Sequence, residues 1–295
     1  METQLLYNTT NNNTLKIFNA IFICLFFMVY SLKSKAQKIS SQRIDLDSNS
    51  FFLEKTILGN YKYFNVDILN NIYVIDKQNR LKKINENGDS VSVFNNIIQY
   101  GIPDFIDVSN PFKILVYYQR FATIATLDRW LNLRNQVNLK SKNIISTHAM
   151  AASYDNNIWI FDEQNFKIKK CNDQMEMILE SIDLNLLTEK TPKPTLIVST
   201  EKNVYLYDEN EGFYIFDAYG NYKTHLPLLH WKNISVNNNT IYGFLNESLF
   251  SYSLESLTLN EYNLPVNISS FNSIRVVNGR LYLLKKEGIQ IFRIE

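Results

Sequence analysis

The chain has 295 residues, of which 45% are hydrophobic and 14% aromatic, and this composition excludes wholesale disorder. The formal net charge is +1, with 30 basic and 29 acidic residues, so the sequence lacks the basic excess that marks nucleic-acid-binding proteins. Because there are only 8 glycines and 6 prolines, asparagine is predicted to be the main turn residue, since it tolerates left-handed backbone conformations.

The first element in chain order is an apolar segment at residues 17–32, preceded by Lys16 and followed by KSKAQ. Its length fits the apolar region of a signal peptide and is marginal for a membrane-spanning helix. Ser34 and Ala36 supply the small residues that precede a cleavage site. Residues 1–36 are therefore predicted to be a signal peptide, with an uncleaved membrane anchor as the alternative.

Removal of the leader has three consequences for residues 37–295. It takes away three lysines and one glutamate, which leaves 27 basic and 28 acidic residues. It leaves a single cysteine, Cys171, which cannot form an internal disulfide, so stability must come from core burial and closure of the fold. No later apolar run is long enough to cross a bilayer as a helix, so no integral membrane span is expected after cleavage.

A repeated unit runs through the rest of the chain. Each copy has an Asn-containing turn, a β-branched and aromatic strand, a polar turn and a second strand. The three clearest copies are at 70–85, 156–172 and 203–217, and weaker copies are at 111–128, 238–254 and 278–294. The equivalent aromatic residues are Tyr73, Tyr117, Trp159, Tyr205, Tyr242 and Tyr282, with spacings of 44, 42, 46, 37 and 40 residues.

This period is typical of one four-stranded blade of a β-propeller. The sequence therefore predicts an all-β fold, a single β-propeller domain over 37–295 with about six blades. Seven blades are possible, because 39–58 and 176–200 could hold an extra half-blade. The last copy ends without a fourth strand, so FFLEKTIL at 51–58 is predicted to pair with it and close the ring. Short helices are possible at 126–133 and 176–187.

An aspartate follows the first strand of the three clearest copies, at Asp76, Asp162 and Asp208. A carboxylate at this position can accept backbone N–H groups of the turn. Repetition at one position in several copies indicates a structural turn, because a catalytic acid would occur once or twice.

No motif for catalysis, metal binding or cofactor binding is present. His148, His225 and His230 form neither an HExxH motif nor a zinc-type cluster, and there is no GxSxG motif, P-loop or dinucleotide fingerprint. Cys171 ends a strand and is predicted to be structural. The chain is therefore predicted not to be an enzyme, with no catalytic residue, metal ligand or cofactor. Paired carboxylates from distant blades remain possible, so an exported carbohydrate-binding or carbohydrate-active propeller is the alternative.

The loops of one propeller face are the predicted binding surface. Connections between successive blades and turns between second and third strands share that face, and aromatic and arginine side chains on loops often anchor protein interfaces. The alternative for Phe121 and Trp231 is that they cap the core. The predicted partner-binding residues are Tyr100, Gln119, Arg120, Phe121, His148 and Trp231.

Several segments resemble a family of exported propellers from Gram-negative bacteria that possess type IX secretion. The most specific is YGIPDFIDVSNPFKILVYYQRFATIATLD at 100–128, accompanied by NNIYVID upstream and by NNIWIFD and GFYIFDAYGNY downstream. The resemblance spans nearly all of residues 37–295. It implies a periplasmic protein, associated with the outer membrane, that serves as a plug or accessory subunit of the type IX translocon and binds an outer-membrane barrel. It implies no catalytic residue.

Overall fold

The structure is a computed structural model that describes residues 40–44, 51–95, 97–188, 190–237, 239–264 and 271–294. The predicted signal peptide lies outside the described residues. Almost all regular structure is β, as expected for short runs rich in Val, Ile, Tyr and Phe. Within the described ranges, no helix has the length and apolarity needed to cross a membrane.

Two strands, β1 (Ser40–Ile44) and β2 (Phe51–Leu58), precede the first complete blade. The next three antiparallel sheets each use four consecutive strands. Blade 1 contains β3 (Tyr61–Val66), β4 (Ile72–Asp76), β5 (Leu81–Ile84) and β6 (Ser90–Phe94). Blade 2 contains β7 (Phe105–Asn110), β8 (Lys113–Tyr118), β9 (Thr123–Leu127) and β10 (Leu133–Asn138). Blade 3 contains β11 (Met150–Ala152), β12 (Ile158–Asp162), β13 (Lys167–Cys171) and β14 (Met177–Glu180).

The remaining sheets complete a six-bladed β-propeller. Blade 4 contains β15 (Leu196–Ser199), β16 (Asn203–Asp208), β17 (Gly212–Asp217) and β18 (Tyr222–Leu226). Blade 5 contains β19 (Lys232–Asn237), β20 (Thr240–Leu245), β21 (Ser248–Ser253) and β22 (Thr258–Asn263), with β1 added beside β22 as a fifth strand. Blade 6 contains β23 (Ser273–Val277), β24 (Arg280–Lys285), β25 (Gly288–Ile294) and β2.

Strand β2 closes the ring. It pairs antiparallel with β25, from Phe51 opposite Ile294 to Leu58 opposite Gly288, and so forms the outer strand of blade 6. The prediction that residues 51–58 complete the C-terminal blade is confirmed. Six blades are found in the described structure, and the seventh that the sequence left open is not formed. The fifth strand of blade 5 was not predicted.

The six aromatic residues of the repeat occupy equivalent places. Each lies on the second strand of its blade, and each pairs with a first-strand residue that lines a central cavity. The second strands β4 and β12 are buried over their whole length, as their uninterrupted apolar sequences predicted. Clusters of apolar side chains from neighbouring blades form the core, for example between blades 1 and 2 and between blades 2 and 3. The core therefore consists of apolar layers between neighbouring blades, and these layers surround the central cavity.

Among the described residues, seven turns share one backbone pattern. The fourth residue donates its N–H to the first carbonyl, and the first residue donates its N–H to the fifth carbonyl, which is a type I turn followed by a bulge. The fourth position requires a left-handed conformation. Of the fifteen non-glycine residues with positive φ in the described chain, eight are asparagines, which confirms the predicted role of asparagine. The seven turns are 67–71, 76–80, 85–89, 128–132, 153–157, 172–176 and 217–221.

The repeated aspartates act as predicted. Asp76 accepts the N–H of Arg80 at 3.0 Å, and Asp162 accepts the N–H of Gln164 at 3.0 Å. Asp208 accepts the N–H of Asn210 at 2.9 Å. These carboxylates hold turns between second and third strands.

Helical structure is limited to short pieces. Residues 126–133 contain the end of β9, a turn and the start of β10, so a helix there is wrong; 176–187 contain β14 and one 3-10 turn. Turn-forming hydrogen bonds to Asp128 favour the hairpin in the first case. The described helical pieces are the α-turn Ile97–Tyr100 and the 3-10 turns Gln119–Phe121, Leu139–Lys142 and Leu184–Leu186.

Candidate functional site

The propeller has two faces with different connections. The loop face carries the connections between blades and the turns between second and third strands. The turn face carries the turns between first and second strands and between third and fourth strands. All six predicted partner-binding residues belong to segments of the loop face, at the places where their sequence positions predicted them.

Five of these residues lie at the loop-face end of blade 2 and at its junction with blade 3. We call Tyr100, Gln119, Arg120, Phe121 and His148 the blade 2–3 patch. Tyr100 ends the helical turn between blades 1 and 2, residues 119–121 connect β8 to β9, and His148 lies in the connection between blades 2 and 3. Three separate segments therefore contribute to one surface.

Aromatic stacking and a polar chain link the patch. The Phe121 ring lies edge-on to the Tyr100 ring with centroids 5.9 Å apart, and Tyr100 packs on the buried ring of Tyr118 at 5.1 Å. Gln119 Nε2 lies 2.6 Å from His148 Nε2, and His148 Nδ1 bonds the carboxylate of Glu163. Since Nδ1 then carries the proton that Glu163 accepts, Nε2 accepts from the Gln119 amide.

The 119–121 turn is held firmly in place. Its first N–H, of Gln119, donates to Asp104 Oδ2 at 2.7 Å, and the carbonyl of Phe121 accepts from Asn138 Nδ2 at 2.9 Å. Ala122 follows in a left-handed conformation and donates its N–H to the carbonyl of Gln119. The turn is thus a rigid support for two exposed side chains, Phe121, which is 43% exposed, and Arg120, which forms no ion pair with any described residue.

Trp231 does not belong to this surface. It is only 5% exposed, and its ring packs edge-on to Phe213 at 6.3 Å and against Phe250 at 5.9 Å. A Cβ at Gly243 would lie 2.3 Å from the indole, so glycine at that position makes room for it. Trp231 lies in a loop-face segment as predicted, but its side chain is not exposed as a binding anchor: it caps the core, which was the alternative. The packing depends on Gly243, twelve residues away, which the sequence did not connect with Trp231.

First strands of all six blades line the central cavity, which has a volume of about 840 Å³. The carboxylates of the described lining are Asp107 and Glu201. Asp107 is buried and accepts hydrogen bonds from Ala152 N and from the N–H and hydroxyl of Ser109. Burial raises the pKa of Asp107, and these hydrogen bonds oppose the rise. Its carboxylate fastens blade 2 to blade 3.

Glu201 has a different setting, because it lies exposed in the turn between β15 and β16. None of the three histidines lines the cavity. No cluster of three or more potential metal ligands occurs among the described residues. Cys171 is buried at the junction of blades 2 and 3, and burial raises the pKa of its thiol to about 11, so almost no thiolate forms at neutral pH.

Sequence reasoning missed two groups of residues. One is Arg275, on β23, which lines the central cavity opposite Tyr282 of the repeat. In blade 1 the same pairing places Asn65 opposite Tyr73. The residue that faces the cavity is thus the first-strand partner of the repeated aromatic residue, and it can be located only when the length of the turn between the two strands is known. The other group is a set of aromatic side chains, each more than half exposed, at turns of the turn face: Phe112, Trp130, Tyr154 and Tyr219.

Comparison with known proteins supports the same class of fold. No protein-family model matches the chain, and no curated protein sequence matches it. An exported protein of Bacteroides fragilis has a similar structure, with a TM-score of 0.58 and 11% identity over 88% of this chain and 100% of that chain. A Bacteroides thetaiotaomicron protein of unknown function gives a TM-score of 0.54 and 12% identity over 82% of this chain and 75% of the other.

A third similar structure is an enzyme. Virginiamycin B lyase from Staphylococcus aureus, in a catalytically inactive His-to-Ala form with quinupristin, gives a TM-score of 0.53 and 13% identity over 83% of this chain and 87% of that chain. At such identities the likeness shows the fold alone. The chain is a six-bladed β-propeller, and the structures similar to it include both a Bacteroides protein described as exported and a lyase.

Proposed function

We propose that this protein is an exported, non-catalytic propeller that binds a protein partner through the blade 2–3 patch. In this proposal residues 1–36 are a cleaved signal peptide, 37–295 form one domain in the periplasm, and the partner is an outer-membrane barrel of the type IX translocon. The propeller would serve that translocon as a plug or accessory subunit. The observation that carries the proposal is the pair of exposed side chains, Arg120 and Phe121, on a rigid turn.

The chemistry of the patch supports protein binding. Arginine and aromatic residues supply most of the binding energy at protein interfaces, and they do so best when they are already ordered before the partner arrives. Hydrogen bonds from Asn138 and to Asp104 fix the backbone of the turn on both sides. Among the described residues, no carboxylate forms an ion pair with the Arg120 guanidinium. Arg120 can therefore pair with a partner without first breaking an internal ion pair.

The cellular setting rests on sequence and fold together. The leader has the length and flanking residues of a signal peptide, and similar folds occur in a Bacteroides fragilis protein assigned as exported. The segment at 100–128, which carries the resemblance to propellers of type IX secretion, also contains four of the five patch residues. The same stretch therefore supports both the proposed partner and the proposed surface.

A catalytic function has weaker support. The lyase likeness concerns the fold, and the histidines of this chain lie away from the central cavity. Asp107, the buried carboxylate of the cavity wall, already accepts three hydrogen bonds, one of which joins blade 2 to blade 3. The other carboxylate of the described lining, Glu201, is exposed in a turn and has no histidine beside it in the lining, which is why the proposal is non-catalytic.

Affinity capture from native envelopes tests the proposal. The exported protein carrying Arg120→Ser and Phe121→Ser should recover at least about tenfold less outer-membrane barrel than the wild type, because both anchors are lost. The matched control is Phe112→Ser, which removes an even more exposed phenylalanine of the same blade on the turn face. Equal recovery by all three proteins, or loss with the control alone, would reject the blade 2–3 patch as the interface.

A further inference from the structure

Arg275 is an arginine in the wall of the central cavity. It lies on β23, the innermost strand of blade 6, and its side chain is partly accessible. It lines both the central cavity and a second cavity of about 310 Å³ that opens between blades 4 and 5. The guanidinium is thus placed where the two spaces meet.

The hydrogen-bond acceptors around this guanidinium are all neutral. Nε lies 3.4 Å from Asn65 Oδ1, while Nη1 lies 3.4 Å from Asn233 Oδ1 and donates to the Ile274 carbonyl at 2.9 Å. The Tyr63 hydroxyl is also close, and it donates to the Ile106 carbonyl. Arg275 forms no ion pair with any carboxylate in the part of the chain that the structure describes.

A positive charge in such a place favours an anion. A guanidinium is always protonated, and a partly desolvated charge is costly unless an opposite charge or good hydrogen bonds compensate it. The two contacts to the asparagine amides are long for hydrogen bonds to a charged donor. A carboxylate, which matches the guanidinium with two parallel hydrogen bonds, would compensate the charge better than these amides do.

The rest of the lining suits a hydroxylated molecule. Several more polar side chains on neighbouring strands and turns line the same cavity, and the hydroxyls of Ser199 and Ser235 have no hydrogen-bond partner among the described residues. Both hydroxyl oxygens are enclosed by the protein, so the polar surface that a ligand can reach comes from the other side chains of the lining. Tyr63 and Phe105 add aromatic surface. The additional polar residues are Ser109, Thr200, Glu201, Lys202, Asn237, Asn239 and Asn278.

We propose that the central cavity binds a small hydroxylated organic acid, such as a uronic acid, with its carboxylate on Arg275 and its hydroxyls on the asparagine side chains of the lining. The cavity volume of about 840 Å³ accommodates a molecule of one to three sugar rings. Turn-face residues Thr200, Glu201 and Asn239 line it, so its mouth and the blade 2–3 patch are on opposite faces. The site is therefore separate from the proposed protein interface, and ligand and partner can bind together.

Calorimetric titration of the exported protein with D-galacturonate and D-galactose tests the site without any variant. The two sugars differ in the carboxylate, so galacturonate should bind at least about tenfold more tightly. Binding of galactose with equal affinity, or binding of neither sugar at millimolar concentration, would overturn the proposal. Digalacturonate that binds more tightly than the monomer would assign the ligand to an oligosaccharide, and equal binding would assign it to a free acid.

Variants then test the role of Arg275. Arg275→Gln should weaken galacturonate binding at least about tenfold while leaving galactose unchanged, and Arg275→Lys should fall between it and the wild type. Arg134→Gln is the matched control, because Arg134 is an exposed arginine of β10 that does not line the cavity. Thermal unfolding of each variant verifies the fold. Unchanged galacturonate affinity in folded Arg275→Gln would overturn the assignment.

Discussion

The junction between blades 2 and 3 is filled more completely than the junction between blades 4 and 5. Between blades 2 and 3, Asp107 accepts the Ala152 N–H, Lys113 donates to the Asn156 carbonyl, and Asn135 donates to the Asp173 carbonyl. One apolar cluster contains side chains of both blades. Between blades 4 and 5, Trp231 fills the loop side, but a cleft of about 310 Å³ remains beside Arg275.

This difference separates two tasks within one ring. The tight junction can hold side chains from three segments in a fixed arrangement, which a protein-binding surface requires. The junction with the cleft leaves a charged side chain accessible from inside, which a small-molecule site requires. The contrast also appears in the strands, because β12 of blade 3 is fully buried whereas only two of six residues of β20 in blade 5 are buried.

The largest effect is expected when the same repeat position is truncated in blades 3 and 5. Trp159 is fully buried beneath the Lys170 ammonium, 5.1 Å from the ring centroid, while its equivalent Tyr242 is only partly buried. Trp159→Ala should lower the free energy of unfolding by about 3–5 kcal/mol and Tyr242→Ala by about half as much. Denaturant unfolding measures both, and equal losses would remove the distinction between the blades.

A smaller, pH-dependent effect on the free energy of unfolding is expected at the turn between β4 and β5 of blade 1. Burial acts to raise the pKa of Asp76, but hydrogen bonds from Arg80 and Lys82 outweigh it and lower the pKa from 3.8 to about 2. Because the folded pKa is below the unfolded one, the stabilisation is present above pH 4 and is lost as pH falls towards 2. Asp76→Asn should cost about 1–2 kcal/mol at pH 7.

The difference in unfolding free energy between wild type and Asp76→Asn should therefore shrink between pH 4 and pH 2. Asp89→Asn is the control in the same blade, since among the described residues that exposed carboxylate accepts a hydrogen bond from the Asn85 side chain alone. It should change the unfolding free energy by less than about 0.5 kcal/mol. A difference for Asp76→Asn that stays constant across this pH range would show that the carboxylate charge contributes nothing to the turn.

The smallest effect is expected in hydrogen exchange of the native protein. Amides of β20 should exchange about tenfold faster than those of β12, because fewer buried contacts oppose local opening of blade 5. Mass spectrometry of peptides from the two strands measures the ratio. Equal protection of both strands would indicate that the ring opens only as a whole and that the cleft does not loosen blade 5.

Much of the fold could be predicted because blade packing imposes a period on the sequence. The aromatic residue of each second strand must be placed between neighbouring sheets, so all six equivalents were found, including the weakly conforming Tyr242. Because the last repeat ends without a fourth strand, residues 51–58 were predicted to supply the outer strand of blade 6, and they form β2. Strand β1 escaped detection because its sequence, SSQRI, lacks the apolar and aromatic residues by which the other strands were recognised.

The site was predicted less completely, because the period does not say which side chains are exposed. Position in a loop correctly placed Phe121 on the surface, but it failed for Trp231, whose burial depends on the space left by Gly243. The position of Arg275 in the cavity follows from its pairing with Tyr282, and this depends on the length of the intervening turn. Both facts are properties of packing and register rather than of local sequence.

Photo-crosslinking in living cells tests the central claim, that the loop face of blade 2 meets a protein partner. Phe121 and Phe112 lie at opposite ends of β8, both exposed, so a benzoylphenylalanine in place of either one samples one face of the same blade. The account predicts crosslinks to an outer-membrane barrel from position 121 and none from position 112. Crosslinks from position 112 alone, or from neither position, would contradict it.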